Sequence, residues 1–364
     1  MKRIVRATAL AGAVALALAA CGEAPEENGG AGGTGTDGGG AQAADFLGCM
    51  VTDSGGVDDR SFNASAWKGL QDAEAELGVE VKYVESNTET DFTPNVQQMV
   101  ADDCGLIVTV GFLLGDATAE AAEANPEEKF AIVDFAYDEP IENVKPLIFD
   151  TAQASFLAGY LAAGMTETGK VATFGGINIP TVSIFMDGFV DGVAQYNEAK
   201  GTNVEVLGWD KEAQNGSFTG DFTNQANGQN LTNNFIQQGA DIVMPVAGPV
   251  GLGAAAAAQE AGNVKIIWVD SDGYESASQY ASLFLTSVIK EIDNAVLAAT
   301  TEAVEGSYTS DPYVGTLENE GVSIAPYHDF EDQVPEELKA EIEELRQQII
   351  DGEITVESPS SPKS

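Results

Sequence analysis

Residues Val51–Leu70 read VTDSGGVDDRSFNASAWKGL and join the end of a predicted strand to the start of a predicted helix. Small and acidic residues come first, and a helical pattern then opens at Ser61, a residue type that often caps helices. Glycines 55 and 56 allow the backbone to approach another group closely. Phe62, in the first helical turn, is either a hydrophobic staple over the helix start or part of a binding surface.

Strands and helices alternate along the chain from residue 46 onward. Short apolar strands separated by helices indicate parallel sheets with helices on both faces. The alternation runs twice, over about residues 46–152 and 153–284, and predicts two α/β lobes of ordinary domain size. Residues 285–364 hold too little for a third domain, so they are expected to return and complete both lobes. Within them, residues 314–327 (VGTLENEGVSIAPY) look like a β-hairpin.

Small residues and carboxylates follow the ends of the predicted strands in both halves of the chain. They are Asp53, Gly111, Asp134, Gly175, Gly176, Ala247, Gly248, Asp270 and Asp272. One such aspartate is ordinarily a turn former or a helix cap. A set at equivalent strand ends instead indicates a ligand, because open α/β sheets bind ligands beyond the carboxyl ends of their strands. We therefore expect a polar cleft between the lobes.

The charge and the motifs exclude several functions. The formal net charge is −42, from 16 basic and 58 acidic residues, and such a surface repels nucleic acid. The segment from Val51 to Leu70 lacks a phosphate-binding loop, and an aspartate-rich site would repel phosphate. The one histidine, His328, leaves little material for a histidine-based triad or metal site. We expect no metal and no cofactor.

The N-terminus has the pattern of a targeting signal. Basic residues precede an apolar run, Ala7–Ala20, that is too short to span a bilayer. The small residues before Cys21 are similar to a bacterial lipobox, so residues 1–20 are predicted to be removed and Cys21 to be lipidated. A simple secretory signal is the alternative. The glycine-rich residues 21–45 would then form a tether to the membrane.

Two further cysteines, Cys49 and Cys104, lie in predicted strands. Export permits a disulfide, and neighbouring parallel strands could bring these residues within bridging distance. We therefore predict a disulfide between Cys49 and Cys104, with two buried free thiols as the alternative.

Several motifs in one order resemble the basic membrane protein family of bacterial lipoproteins. The stretch SGGVDDRSFNASAWKGL looks like the family signature, and the resemblance continues through FAIVDFAY, ASFLAGYLAA, MDGFVDG, VAGPVGLG, VDSDG and TSVIK to about residue 325. Members of this family are substrate-binding proteins of ABC transporters. The resemblance implies a two-lobed type I periplasmic-binding fold that closes on a nucleoside. It also implies permease subunits as partners and a monomer anchored at the extracytoplasmic face of the cell membrane.

The family's site residues map onto the first lobe through two motifs. Its SFN phenylalanine matches Phe62, where one face of the base would stack, and Asn63 follows in the same motif. The aspartate nine positions before this phenylalanine matches Asp53, and the one that ends the IVD strand matches Asp134. Both are expected to accept hydrogen bonds from the ligand.

The second stacking aromatic has two candidates. The family places it six residues before a glycine that opens a helix, and Phe222 precedes Gly228 by that spacing. Phe218 in GSFTGDF is the alternative. A purine has two apolar faces, so one aromatic ring from each lobe could hold it.

The remaining correspondences are polar or backbone positions of the second lobe. Gly248 and Gly251 match a glycine turn, and Lys290 matches a lysine that follows the TS motif. The ribose-binding aspartate corresponds to Asp270 or to Asp272.

Other functions compatible with the sequence are a nucleoside hydrolase, a membrane-anchored sensor domain and a receptor for another flat-ring or sugar ligand. A hydrolase is disfavoured because the carboxylates lie on separate strand ends. We expect a binding protein, not an enzyme.

Overall fold

A computed structural model describes residues 45–362 of the chain. The predicted signal peptide (1–20), the lipidated Cys21 and all but the last residue of the predicted tether (21–45) lie outside the described residues. Among the residues described, no helix combines the length and the apolar character that crossing a membrane requires.

Six strands within residues 45–362 form a first sheet, in the order β13-β5-β4-β3-β1-β2. Every neighbouring pair in it is parallel. The strands are β1 (Leu47–Thr52), β2 (Glu80–Val84), β3 (Leu106–Val110), β4 (Phe130–Val133), β5 (Val144–Phe149) and β13 (Tyr313–Gly315).

A second six-stranded sheet in the same part of the chain has the order β14-β12-β11-β10-β6-β7. It is parallel except for the edge strand β14, which runs antiparallel to β12. Its strands are β6 (Lys170–Gly175), β7 (Glu205–Leu207), β10 (Ile242–Val246), β11 (Lys265–Asp270), β12 (Phe284–Lys290) and β14 (Val322–Ile324). A small hairpin pairs β8 (Trp209–Asp210) with β9 (Asn215–Gly216).

Helices cover both sheets. They are α1 (Phe62–Leu77), α2 (Phe92–Ala101), α3 (Gly115–Ala124), α4 (Thr151–Met165), α5 (Pro180–Lys200), α6 (Gln225–Gln237), α7 (Val250–Ala261), α8 (Gly273–Ser276), α9 (Ile292–Glu305) and α10 (Glu336–Ile350). The apolar helix α4 is buried along most of its length and packs closely on α5. A Cβ atom at Gly192 would lie 1.9 Å from the carbonyl oxygen of Phe156, so a residue without a side chain sets this helix spacing.

Within residues 45–362, three crossing segments join the two sheets. They lie between β5 and α4, between β12 and α9, and between β13 and β14. Helix α9 packs on α1, beside the first sheet, where a Cβ atom at Gly69 would lie 2.5 Å from the carbonyl oxygen of Asp293. The chain after β12 therefore contributes elements beside both sheets.

The predicted hairpin at residues 314–327 is wrong. Strand β13 pairs with β5 of the first sheet, and β14 pairs with β12 of the second. The connection between them is turned by Asn319, whose side-chain oxygen accepts hydrogen bonds from the N–H groups of Thr316 and Gly321. A local turn signal is the same whether the flanking strands pair with each other or with separate sheets.

Cys49 in β1 and Cys104, just before β3, form a disulfide with a Cα–Cα distance of 5.9 Å. Strands β1 and β3 are parallel neighbours, which brings the two side chains together. The bridge lies in the apolar core of the first sheet.

Candidate ligand-binding site

A cavity lies between the two sheets, at the carboxyl ends of their strands. Its volume is about 530 Å³, including the part open to solvent. Eight of the residues proposed from the sequence line it: Asp53, Phe62, Asn63, Asp134, Phe222, Gly248, Asp270 and Lys290. The structure thus brings these side chains from both halves of the chain around one space.

Two of the proposed residues have other neighbours. Gly251 lies in α7 against the ring of Trp268, which a Cβ atom would approach to 2.8 Å. Asp272 caps α8 by accepting a hydrogen bond from the N–H of Tyr274, and its other oxygen lies 2.7 Å from Nε2 of His328. Of the two candidate ribose-binding aspartates, the structure therefore places Asp270 at the cavity.

The alternative aromatic residue, Phe218, is also directed elsewhere. Its ring packs edge-on against Trp209, with centroids 5.9 Å apart. Phe222 lines the cavity and lies against Gly176, where a Cβ atom would come within 2.4 Å of the Phe222 ring. A side chain at position 176 would displace the ring. The glycine that directly follows β6 therefore leaves the space that the Phe222 ring occupies.

Lys290 connects the two lobes through its ammonium group. The Nζ atom forms an ion pair with Asp134, which follows β4 of the first sheet, and lies 3.4 Å from Oδ1 of Asp270, at the end of β11 of the second. Burial alone would lower the pKa of Lys290, but the two carboxylates together hold this pKa above its ordinary value. The lysine is therefore charged although its side chain is only 3% exposed.

Asp134 and Asp270 share an unusual backbone conformation. Their φ angles are 61° and 69°, in the left-handed region that residues other than glycine seldom adopt. Asp134 directly follows β4, Asp270 is the last residue of β11, and both carboxylates contact the Lys290 ammonium. Such conformations persist where the surrounding structure imposes them, and they concentrate at functional sites.

Asp53 lines the cavity, close to the backbone of Gly111. Burial raises the pKa of Asp53 well above its ordinary value, although Asn63 donates a hydrogen bond to Oδ1 at 3.2 Å. A Cβ atom at Gly111 would lie 2.1 Å from Oδ2 of Asp53, so the end of β3 requires glycine here. Oδ1 of Asn63 is buried and has no hydrogen-bond partner among residues 45–362.

Two polar residues of the cleft have roles that differ from the sequence prediction. Asp59, not Ser61, caps α1 with its side chain: its carboxylate accepts hydrogen bonds from the N–H groups of Ser61, Asn63 and Ala64 at 2.7–3.0 Å. The Ser61 hydroxyl instead reaches the second lobe, 2.8 Å from Oδ2 of Asp270 and 3.0 Å from the carbonyl oxygen of Val269. An aspartate three residues before the first residue of a helix is the signal that could have identified this cap.

Phe185 is a cavity residue that the sequence did not indicate. It lies in α5, and the Lys290 Nζ atom is 4.9 Å from its ring centroid and 5.1 Å from that of Phe62. Both distances are suitable for cation–π attraction. In the sequence, Phe185 fits the apolar periodicity of the helix as a core residue would, so no sequence signal distinguishes it from the core.

Comparisons with known proteins agree with this arrangement. Residues 46–360 match the family described as Bmp, ABC transporter substrate-binding protein PnrA-like. The chain belongs to this family. It is 31% identical to the ABC transporter nucleoside-binding protein BmpA of Lactococcus lactis subsp. cremoris, over 98% of this chain and 99% of that protein. It is also 31% identical to a CD4+ T-cell-stimulating antigen of Listeria innocua over the full length of both chains.

Among solved structures, an ABC transporter solute-binding protein from Aeropyrum pernix K1 superimposes with a TM-score of 0.78 at 26% identity. The match covers 86% of this chain and 94% of that one. The predicted two-lobed type I periplasmic-binding fold is therefore confirmed. As a Bmp substrate-binding protein, the chain is not an enzyme but captures a small molecule on the extracytoplasmic side and presents it to a permease.

Gly111→Ala tests the close approach of Asp53 to the backbone. We expect the variant to lose about 3 kcal/mol or more of unfolding free energy, because the new Cβ atom meets Asp53 in a backbone conformation that suits only glycine. Gly78→Ala is the matched control, since Gly78 also has a positive φ but no atom near its missing Cβ; it should lose only about 1 kcal/mol. Urea unfolding measures both, and equal losses would contradict the packing argument.

Asp59→Asn tests the buried helix cap through its pH dependence. Burial raises the pKa of Asp59 to about 6, against about 3.9 in an unfolded chain. The folded protein therefore holds this proton more tightly, and the resulting stabilisation, fully present below about pH 4, is lost as the pH rises through 6. Between pH 4 and pH 7 the unfolding free energy of the wild type should fall by about 2 kcal/mol relative to that of Asp59→Asn. Asp58→Asn, at the exposed neighbouring residue, is the control. Parallel curves of unfolding free energy against pH for the wild type and Asp59→Asn would refute the assignment.

Proposed function

We propose that the protein binds a nucleoside, with a purine base, and delivers it to an ABC transporter permease. The observation that supports this most is the composition of the cavity, where aromatic side chains from opposite lobes accompany buried carboxylates. A flat ring needs apolar contact on both faces, and a sugar needs hydrogen-bond acceptors for its hydroxyl groups. The nucleoside-binding relative from Lactococcus lactis has a name that agrees with this proposal.

In the proposed complex the base lies between Phe62 and Phe222. Asp134 accepts a hydrogen bond from the base, and Asp270 with Lys290 binds the ribose. Asn63 offers a side-chain oxygen that lacks a partner within residues 45–362, so it is an acceptor for a further N–H group of the ligand. Its neighbour Asp53, with a raised pKa, supplies a carboxyl group that donates or accepts.

The charges of the cavity support a neutral ligand. The carboxyl groups of Asp53, Asp59, Asp134 and Asp270 line the cavity together with Lys290, the one ammonium among its described lining residues. A phosphate would approach several buried carboxyl groups and find its cation already paired. Nucleosides, which carry hydroxyl and N–H donors but no phosphate, fit this balance.

The N-terminal sequence supports a proposal for how the receptor is held at the membrane. We propose that residues 1–20 are cleaved, that Cys21 carries a lipid, and that residues 21–45 tether a monomer to the membrane. Lobes spanning about residues 46–152 and 153–284, completed by the rest of the chain, then close on the ligand.

Phe62→Ala tests the stacking role by calorimetric titration with inosine, adenosine and guanosine. Affinity should fall about five- to a hundredfold, or about 1–3 kcal/mol, because an aromatic partner of the base is lost. Phe222→Ala should cause a similar loss. Phe218→Ala is the matched control, since its ring packs on Trp209 outside the cavity and its loss should leave affinity unchanged.

A phosphorylated nucleotide belongs in the same titration series. If the wild-type protein binds no nucleoside, or binds the nucleotide more tightly, the proposed ligand class is wrong. If Phe218→Ala reduces the nucleoside affinity as much as Phe222→Ala does, the choice of Phe222 over Phe218 is wrong.

Cys21→Ser tests the lipid anchor. The serine cannot form the thioether to the lipid, so the variant should move from the membrane fraction to the soluble fraction when cells are fractionated. Its affinity for the nucleoside should be unchanged. Retention of the variant in the membrane at the wild-type level would show that another segment holds the protein there.

A further inference from the structure

A second cavity adjoins the ligand cavity. It measures about 1350 Å³, including the part open to solvent, and shares Phe112, Asp134, Thr181 and Lys290 with the first. The ion pair between Asp134 and Lys290 stands at the junction. The two spaces are therefore adjacent across these side chains.

Aromatic rings and prolines form much of the wall of the second cavity. Phe112, Phe135 and Tyr137 pack edge-to-face in sequence, with ring centroids 5.0 Å and 4.8 Å apart. The Tyr137 hydroxyl donates a hydrogen bond to the carbonyl oxygen of Gly115 at 2.7 Å, which fixes the end of this row. Pro312 and Pro359 line the cavity as well. Such a surface suits an uncharged ring.

The wall also contains an unsatisfied polar atom. Thr151 lies at the start of α4, where β5 crosses from the first lobe to the second, and its side chain is fully buried. Thr151 is among the lining residues of the cavity, and its hydroxyl oxygen is buried and has no hydrogen-bond partner within residues 45–362. Buried hydroxyl groups are rarely left in this state, so a partner from within the cavity is expected.

The C-terminal segment closes the second cavity with specific bonds. The Ser358 hydroxyl donates to the buried carboxylate of Asp187 at 2.6 Å, and that of Ser361 donates to Asp150 at 3.2 Å. Between them, the Ser360 hydroxyl lies 2.9 Å from that of Ser183. Residues 358–361 are thus held against α5 and against the first crossing segment, so this side of the cavity is a built wall.

We propose that the second cavity is a subsite for an uncharged aromatic substituent on the base of the bound nucleoside. The inference rests on the proposed function, in which Asp134 faces the base, because a group attached to that edge of the base passes Asp134 and Phe112 into the second cavity. The aromatic row and the prolines contact the substituent, and Thr151 bonds a polar group on it. The preferred ligand is then a base-modified nucleoside.

Calorimetric titration of the full chain with adenosine and N6-benzyladenosine tests the subsite. We expect the benzyl compound to bind at least tenfold more tightly, because its ring gains apolar contact that adenosine lacks. Equal or weaker binding of the benzyl compound, with adenosine bound, overturns the subsite and leaves the proposed function intact. If neither compound binds, both proposals fail together.

Variants outside the first cavity separate the two sites. Phe135→Ala, and independently a deletion of residues 358–364, should reduce the tenfold gain to threefold or less without changing adenosine affinity. Phe222→Ala is the contrasting variant, since it should weaken both ligands by the same factor and preserve the ratio. The ratio is that of the affinities for N6-benzyladenosine and adenosine. If it is unchanged in both Phe135→Ala and the deletion, and both variants keep the wild-type melting temperature, the second cavity does not hold the substituent.

Thr151→Val tests the polar end of the subsite at nearly constant volume. A hydroxyl group on the benzyl ring should improve binding to the wild-type protein about threefold or more through Thr151. The variant should lose this improvement and keep the gain from the benzyl ring. An improvement that survives in Thr151→Val shows that Thr151 does not bond the substituent.

Discussion

The interaction on which the cleft depends is the buried contact of Lys290 with one carboxylate from each lobe. Asp270 lies on the strand next to β12 in the same sheet, so this contact is independent of the angle between the lobes. Asp134 belongs to the other sheet, and opening the cleft would separate it from Lys290. Opening therefore removes one of the two carboxylate partners of the ammonium, and the ion pair with Asp134 favours the closed arrangement.

The backbone around this contact has little freedom to adjust. Asp134 and Asp270 hold left-handed conformations, Gly111 leaves space for Asp53, and Gly176 leaves space for the Phe222 ring. Each of these positions ends a strand whose register is fixed by its neighbours in the sheet. The rigid sheets therefore place the polar groups before a ligand arrives, and this preorganisation lowers the cost of binding.

The sequence was sufficient for features that repeat locally or that carry strong chemical patterns. The alternation of apolar strands and helices predicted two α/β lobes, and the positions of glycine and aspartate predicted which strand ends face the cleft. It failed where local patterns are ambiguous. Strand β5 was not anticipated, because Lys145 and Pro146 are unusual in a buried strand; Lys145 is accommodated by an ion pair with Glu302, and pairing with β13 starts only after Pro146.

What the sequence by itself determined is the family, the fold class and eight of the residues around the cavity, because these follow from residue type, spacing and order. Only the tertiary structure shows that Phe222 and Asp270 line the cavity and that Phe218 and Asp272 do not. It also assigned Ser61 and Phe185 to the cleft and sent β13 and β14 to different sheets. These choices depend on which distant segments meet across the two lobes, and contacts between segments far apart in the chain leave no local pattern in the sequence.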